Sequence, residues 1–161
     1  MKKILTRLRE AKERNEPLYV SRPLLNTDEF TAWAKDQGFA TVTSPEKIHV
    51  TLVYSKEAAP WGGLGRESNK LTISGGTRKV EPLGDEGAVV LKFPSEALQL
   101  RNKCLRKGGC SSDYRTYKPH VTITYDQGDL KLGGVEPFQG DLVFGPEIFK
   151  PLKTDWKQTE K

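Results

Sequence analysis

The chain has 161 residues, with 26 Lys and Arg against 21 Asp and Glu, a net charge of +5 and a pI near 9.2. This length suits one domain that buries a core without disulfides or metal, and its apolar residues (35%) gather into strand-like runs, which excludes a disordered chain. No run approaches the ~18 apolar residues of a membrane helix, and the basic start lacks the apolar stretch of a secretory signal, so a soluble cytoplasmic protein is expected.

Taken in order, Lys3 to about Asn15 reads as an amphipathic helix with Ile4, Leu5, Leu8 and Ala11 on one stripe, stopped by Pro17. Leu18–Arg22 is a short strand. Asn26 caps a helix with Glu29 at the capping-box position; Phe30, Trp33 and Ala34 form its buried face and Gly38 ends it. Phe39–Thr43 is a strand, Ser44-Pro45-Glu46 a turn and Ile48–Tyr54 a strand. Pro60–Gly65 has the Gly-rich composition of a mobile flap. Strands follow at Leu71–Ser74 and Arg78–Pro82, a hairpin turn at Leu83–Gly87, and an apolar strand at Ala88–Phe93. Ser95 caps a second helix with Ala97, Leu98, Leu100, Cys104 and Leu105 inward, ended by Gly108-Gly109. Val121–Tyr125, Phe138–Phe144 and Ile148–Leu152 are the last strands, and residues from about Asp155 to Lys161 form a tail. The pattern is α+β, with residues 1–161 as a single domain. Cys104 and Cys110 match neither a redox pair nor a zinc knuckle and read as free thiols in a reducing compartment.

The two histidines of the chain sit in nearly the same phrase. Lys47-Ile48-His49-Val50-Thr51-Leu52-Val53-Tyr54 recurs, about half the chain later, as Lys118-Pro119-His120-Val121-Thr122-Ile123-Thr124-Tyr125. Strand alternation puts His49, Thr51 and Val53 on one face, and His120, Thr122 and Thr124 on one face. The opposite face, with Tyr54 and Tyr125, would pack as core. Two strands side by side would bring two imidazoles and two hydroxyls together. One histidine can take a proton from an attacking oxygen while the other gives one to the leaving oxygen. The threonines can donate to the non-bridging oxygens of a phosphate. A ribose 2′-hydroxyl is the simplest nucleophile. The bland alternatives are two structural histidines and ordinary β-forming threonines. Two histidines without a cysteine pair or a facial carboxylate make a poor metal set, so no metal and no cofactor are expected. The basic surplus near the N-terminus and at Arg101–Lys107 suits a small anionic ligand or two solvated helix faces, not long nucleic acid.

Paired His-x-Thr motifs in a chain of this length resemble the two-histidine (2H) phosphoesterases. That resemblance implies a bilobal fold of two pseudo-symmetric antiparallel sheets flanked by helices around a central cleft. Members open 2′,3′-cyclic nucleotides, process RNA ends or cleave 2′-5′ linkages without metal. The segments Leu18–Pro23, Trp33-Ala34-Lys35, Val80–Gly84 and Gly145-Pro146-Glu147 resemble the phage anti-CBASS branch, over roughly Leu18 to Trp156. The branch degrades the cyclic di- and trinucleotides that activate bacterial antiphage effectors, in the host cytoplasm. The resemblance implies His49, Thr51, His120 and Thr122 as the catalytic tetrad and an adenine-containing cyclic nucleotide as substrate. It also implies Tyr19 and Trp61 as stacking residues and Glu147 as acceptor of an adenine amine. Tyr19 read alone is equally a strand aromatic over core, and Glu147 an exposed turn carboxylate. Lys47 and Lys118 are flanking surface charges or sources of positive potential, and Tyr114 and Tyr117 candidate rim residues. An RNA-end or 2′,3′-cyclic nucleotide phosphodiesterase, and a non-catalytic cyclic-nucleotide sponge, remain alternatives. Neither membrane association nor an oligomeric state is indicated.

Overall fold

The computed structural model describes residues 14–112 and 116–152. Among the described residues eight strands are formed: β1 (Asn15–Pro23), β2 (His49–Pro60), β3 (Leu71–Ile73), β4 (Lys79–Pro82), β5 (Val89–Lys92), β6 (His120–Thr124), β7 (Leu142–Phe144) and β8 (Ile148–Pro151). They make two antiparallel sheets, one of six strands in the order β4-β5-β6-β2-β1-β8 and one of two strands, β3-β7. Helices α1 (Thr27–Asp36) and α3 (Glu96–Lys107) and the single turn α2 (Trp61–Leu64) join them. This is the α+β class expected. The two motif strands β2 and β6 are neighbours at the centre of the large sheet. Each leads outward through an antiparallel partner, β1 or β5, to an edge strand, β8 or β4. The repeat in sequence is therefore a repeat in topology.

The core fills from motif-strand residues that face away from the histidines. Val50, Leu52, Val121 and Ile123 are fully buried with Phe30, Leu98, Leu105 and Phe144. Helix α3 presents Leu98, Asn102 and Leu105 inward. Leu100 is 60% exposed and Ala97 and Cys104 are also exposed, contrary to expectation. The inward stripe is narrower than the hydrophobic pattern suggested, because Asn102 takes a place there for its amide. Ser95 caps α3 as expected, accepting from the Leu98 N–H.

Other differences have local causes. Residues 39–43 do not pair as a strand; Thr43 instead reaches the carbonyls of Thr122 and Ile123 with its side chain and of Ile123 with its N–H. Asn26 stands at the α1 N-cap but spends its side chain elsewhere, donating to the Asp141 carbonyl and accepting from Val143 N–H. Gly38 leaves α1 at φ +104°, a region glycine enters without a steric cost. Within residues 60–65, Trp61–Leu64 form the α2 turn, with Leu64 buried. Pro17 lies within β1, which starts at Asn15. The rest of the expected N-terminal helix, the tail and Tyr114 lie outside the described residues. Among the described residues, no helix is long and apolar enough to cross a membrane.

Candidate active site

The site is set by one pairing. Val50 of β2 lies opposite Val121 of β6 in an antiparallel ladder. Antiparallel register then sets His49 across from Thr122, and Thr51 across from His120. Directly opposed side chains have Cβ atoms about 4.5–5.5 Å apart. Val50 and Val121 point into the core, so the four flanking side chains share the other face. All four are partly exposed.

Each histidine is held by its own chain. His49 Nδ1 donates to the Lys47 carbonyl at 2.7 Å, and His120 Nδ1 donates to the Lys118 carbonyl at 2.9 Å. A carbonyl only accepts, so each Nδ1 carries a hydrogen and each neutral ring keeps its lone pair on Nε2. The lysines thus serve through main-chain oxygens, and their side chains are exposed.

Beyond each His-x-Thr the strand breaks register. On the β1 side the partner of β2 passes from Thr51 to Val53; on the β5 side the partner of β6 passes from Thr122 to Thr124. Leu52 and Ile123 are the extra residues of two equivalent β-bulges. Their carbonyls are taken up from outside the ladder: Asn102 Nδ2 donates to Leu52 O at 2.6 Å, and Thr43 N–H and hydroxyl donate to Ile123 O. One extra residue exchanges the two faces. Val53 and Thr124, expected on the histidine face, are buried at 3% and 1% exposure. Tyr54 and Tyr125, expected as core, turn to the histidine face. Tyr54 packs edge-on against Tyr19, with centroids 5.7 Å apart, and Tyr125 is 63% exposed.

Tyr19 enters the site from β1, opposite Tyr54. Its hydroxyl lies 2.7 Å from His49 Nε2 and 2.7 Å from Thr51 Oγ1. Burial pushes the phenol above its ordinary pKa, so it stays a hydroxyl. Tyr117, half-buried, donates to the Thr51 carbonyl at 2.7 Å and fixes the strand just behind the motif.

Two other expected residues do not reach this face. Trp61 follows the far end of β2; β1 pairs Pro23 with His49 and Asn15 with Pro60, and those eight steps put Trp61 roughly 26 Å from His49 at ~3.3 Å per residue. Its ring lies against Phe149 and beneath the Arg14 guanidinium, and its Nε1 donates to the Glu16 carbonyl. It is a packing residue. Glu147 is 2% exposed. Arg101 grips it through Nε to Oε2 at 2.8 Å and Nη2 to Oε1 at 2.9 Å, and the Glu67 N–H donates to Oε1 at 3.1 Å. Arg101 also donates to the carbonyls of Leu64 and Gly65. Both carboxylate oxygens are engaged, so Glu147 ties the Gly-Pro-Glu turn to α3 and the α2 turn. An isolated carboxylate in a sequence gives no sign of its partner, and Arg101 lies far from it along the chain.

The residues of this face missed by sequence reasoning are Tyr54 and Tyr125. Their recurrence at the same offset was the available signal, and the bulges concealed its meaning. Among the described residues, no three His, Cys, Asp or Glu side chains come together as a metal set.

Comparison with known proteins places this geometry. Residues 16–159 match the model of the family described as Anti-CBASS protein Acb1. An Anti-CBASS protein Acb1 of Caulobacter sp. (strain RHG1) is 52% identical over 147 residues, covering 88% of this chain but 23% of that protein. The one of Enterobacteria phage T4 is 33% identical over 111 residues, covering 69% of this chain and 70% of its own. This chain thus spans about a quarter of the Caulobacter relative. A crystal structure of E. coli LigT in apo form superposes with a TM-score of 0.56 at 17% identity, over 86% of this chain and 95% of LigT. A further crystal structure, described as a phosphoesterase, superposes with a TM-score of 0.59 at 17% identity over 86% of this chain. Two His-x-Thr half-sites meeting on one sheet of a LigT-like fold, in a sequence matched over residues 16–159, make this chain a member of the Anti-CBASS protein Acb1 family.

Proposed function

We propose that the chain is a metal-independent phosphodiesterase that opens 3′-5′ bonds of adenine-containing cyclic di- and trinucleotides, and so removes the signal of CBASS immunity in a bacterial host. The observation that carries the reading is the facing pair His49–Thr122 and Thr51–His120, with both imidazoles presenting Nε2. Family membership supports the cyclic-nucleotide substrate, because the relatives are named for countering CBASS. The fold neighbour LigT has been crystallised with 3′-AMP, which agrees with a nucleotide phosphate at such a site.

The reaction follows from the groups present. One histidine takes the proton of the ribose 2′-hydroxyl as its oxygen attacks phosphorus. The other protonates the departing 5′-oxygen. Thr51 and Thr122 donate to the non-bridging oxygens, where charge gathers in the transition state. The first products are a linear nucleotide with a 2′,3′-cyclic phosphate and a free 5′-hydroxyl. Water then opens the cyclic phosphate with the histidine roles exchanged.

The test is incubation in EDTA with 3′,3′-cyclic GMP–AMP, a cyclic triadenylate and a short RNA ending in a 2′,3′-cyclic phosphate, with products separated by chromatography. Cleavage of the cyclic oligonucleotides is expected. Turnover of the RNA alone would replace this reading by RNA-end processing, and tight binding without products would make the protein a sponge.

A further inference from the structure

The two half-sites are equivalent in motif, tautomer and bulge, but not in their neighbours. On the β1 side Ser21, Val20 and Tyr19 lie across from Thr51, Val53 and Tyr54. On the β5 side Val90 and Val89 lie across from Thr122 and Thr124, so the place opposite Tyr125 falls to Ala88. A phenol stands in one half and a methyl group in the other. Consequently His49 Nε2 has a side-chain partner, whereas His120 Nε2 has none among the described residues.

Counting hydrogens shows what the phenol does. With His49 neutral, the single Tyr19 hydrogen goes to Nε2, and the Tyr19–Thr51 bond then requires Thr51 to donate its hydrogen to Tyr19. The Thr51 hydrogen is thereby spent. With His49 protonated, Nε2–H donates to the Tyr19 oxygen and Tyr19 donates to Thr51 Oγ1. The Thr51 hydrogen is then free for a phosphate oxygen. The half-site is ready for an anion only when His49 carries its proton. A base needs an open lone pair, and only His120 Nε2 presents one.

We propose that Tyr19 is the positioning residue that makes the half-sites unequal, so that in the ring-opening step His120 is the base towards the 2′-hydroxyl and His49 the acid towards the leaving oxygen. In that step the O2′–P bond forms as the 2′-proton passes to His120 Nε2. The P–O5′ bond breaks as the 5′-oxygen takes the place of the Tyr19 oxygen as acceptor of His49 Nε2–H and receives its proton, which leaves His49 neutral and His120 protonated. The assignment rests on the phosphodiesterase reading above but not on its cyclic substrate.

The test compares two linear ribonucleotides: adenylyl-3′,5′-adenosine, whose leaving alkoxide needs a proton, and adenosine 3′-(4-nitrophenyl phosphate), whose leaving phenolate does not. His120→Ala should lose at least about 10²-fold in kcat on both. His49→Ala should lose as much on the dinucleotide and recover to within about tenfold of the unaltered protein on the nitrophenyl ester. Tyr19→Phe keeps the ring and loses only the hydroxyl. It should lower kcat on the dinucleotide about tenfold with little change in KM, and lose clearly less, no more than about threefold, on the ester. Rescue of His120→Ala instead would reverse the assignment, and equal deficits on both substrates for His49→Ala would remove it. A Tyr19→Phe variant with full rate on both substrates would show that the hydroxyl plays no part. Because neither probe is cyclic, failure on cyclic oligonucleotides alone would count against the substrate reading and leave the histidine roles standing. An unaltered protein that cleaves neither these probes nor the cyclic oligonucleotides would overturn both.

Discussion

Replacing Glu147 by alanine should destabilise the protein severely and leave the chemistry intact. The carboxylate has a side-chain exposure of 0%, and its partner Arg101 one of 15%. Burial opposes the Arg101 charge, and Glu147 more than restores it, leaving Arg101 above its ordinary pKa. Glu147→Ala strands that guanidinium in the interior and orphans the Glu67 N–H. Removing one partner of a buried pair costs about 3–5 kcal/mol. For a chain of this length that corresponds to a fall in Tm of roughly 6–20 °C. Urea unfolding followed by circular dichroism measures it. Arg101→Met with Glu147→Leu removes both charges and should recover most of the loss, to within about 2 kcal/mol of the unaltered protein. A single variant within about 1 kcal/mol of the unaltered protein, or a double variant no better than the single, would refute the strut. A Glu147 that contacted a base would instead lose substrate affinity at constant stability.

Tyr125→Ala should change stability by less than about 0.5 kcal/mol, as an exposed residue does; a loss of about 3 kcal/mol or more in denaturant would return Tyr125 to the core. Trp61→Phe should cost about 1 kcal/mol through the lost bond to the Glu16 carbonyl and leave KM for nucleotide substrates within about twofold; a large rise in KM would bring the α2 turn to the substrate. Burial pushes the phenols of Tyr19 and Tyr117 above their ordinary pKa. The unfolded chain therefore ionises first, so this contribution to stability is whole below about pH 10 and falls as pH rises beyond it. Tyr117→Phe should make that alkaline fall shallower in urea titrations at pH 8 and 10.5; an unchanged fall would refute the assignment.

Much of the fold was legible because its signals are local. Ser95 and Gly108 bound α3, Gly38 ends α1, and the duplicated phrase marks the two central strands. Alternation correctly aimed His49, Thr51, His120 and Thr122 at one face. It failed one step later, because a bulge depends on which carbonyls can be satisfied from elsewhere. Asn102 and Thr43 supply the donors that allow Leu52 and Ile123 to be extra residues, and both are distant in sequence. The same limit hid the partners of Glu147 and the far placement of Trp61, which follows from the length of β2. The place of Tyr19 on the strand was legible, but not the contacts of its hydroxyl with His49 and Thr51. An expectation of a stacking face gave no reason to anticipate a hydroxyl shared between His49 and Thr51.

The central claim is that the two His-x-Thr pairs form one acid–base site. It is tested most directly by the turnover of 3′,3′-cyclic GMP–AMP in EDTA by the unaltered chain, His49→Ala and His120→Ala. The account predicts cleavage by the unaltered chain through a 2′,3′-cyclic-phosphate product, with each variant slowed by at least about 10²-fold. Near-normal turnover by either variant would contradict it.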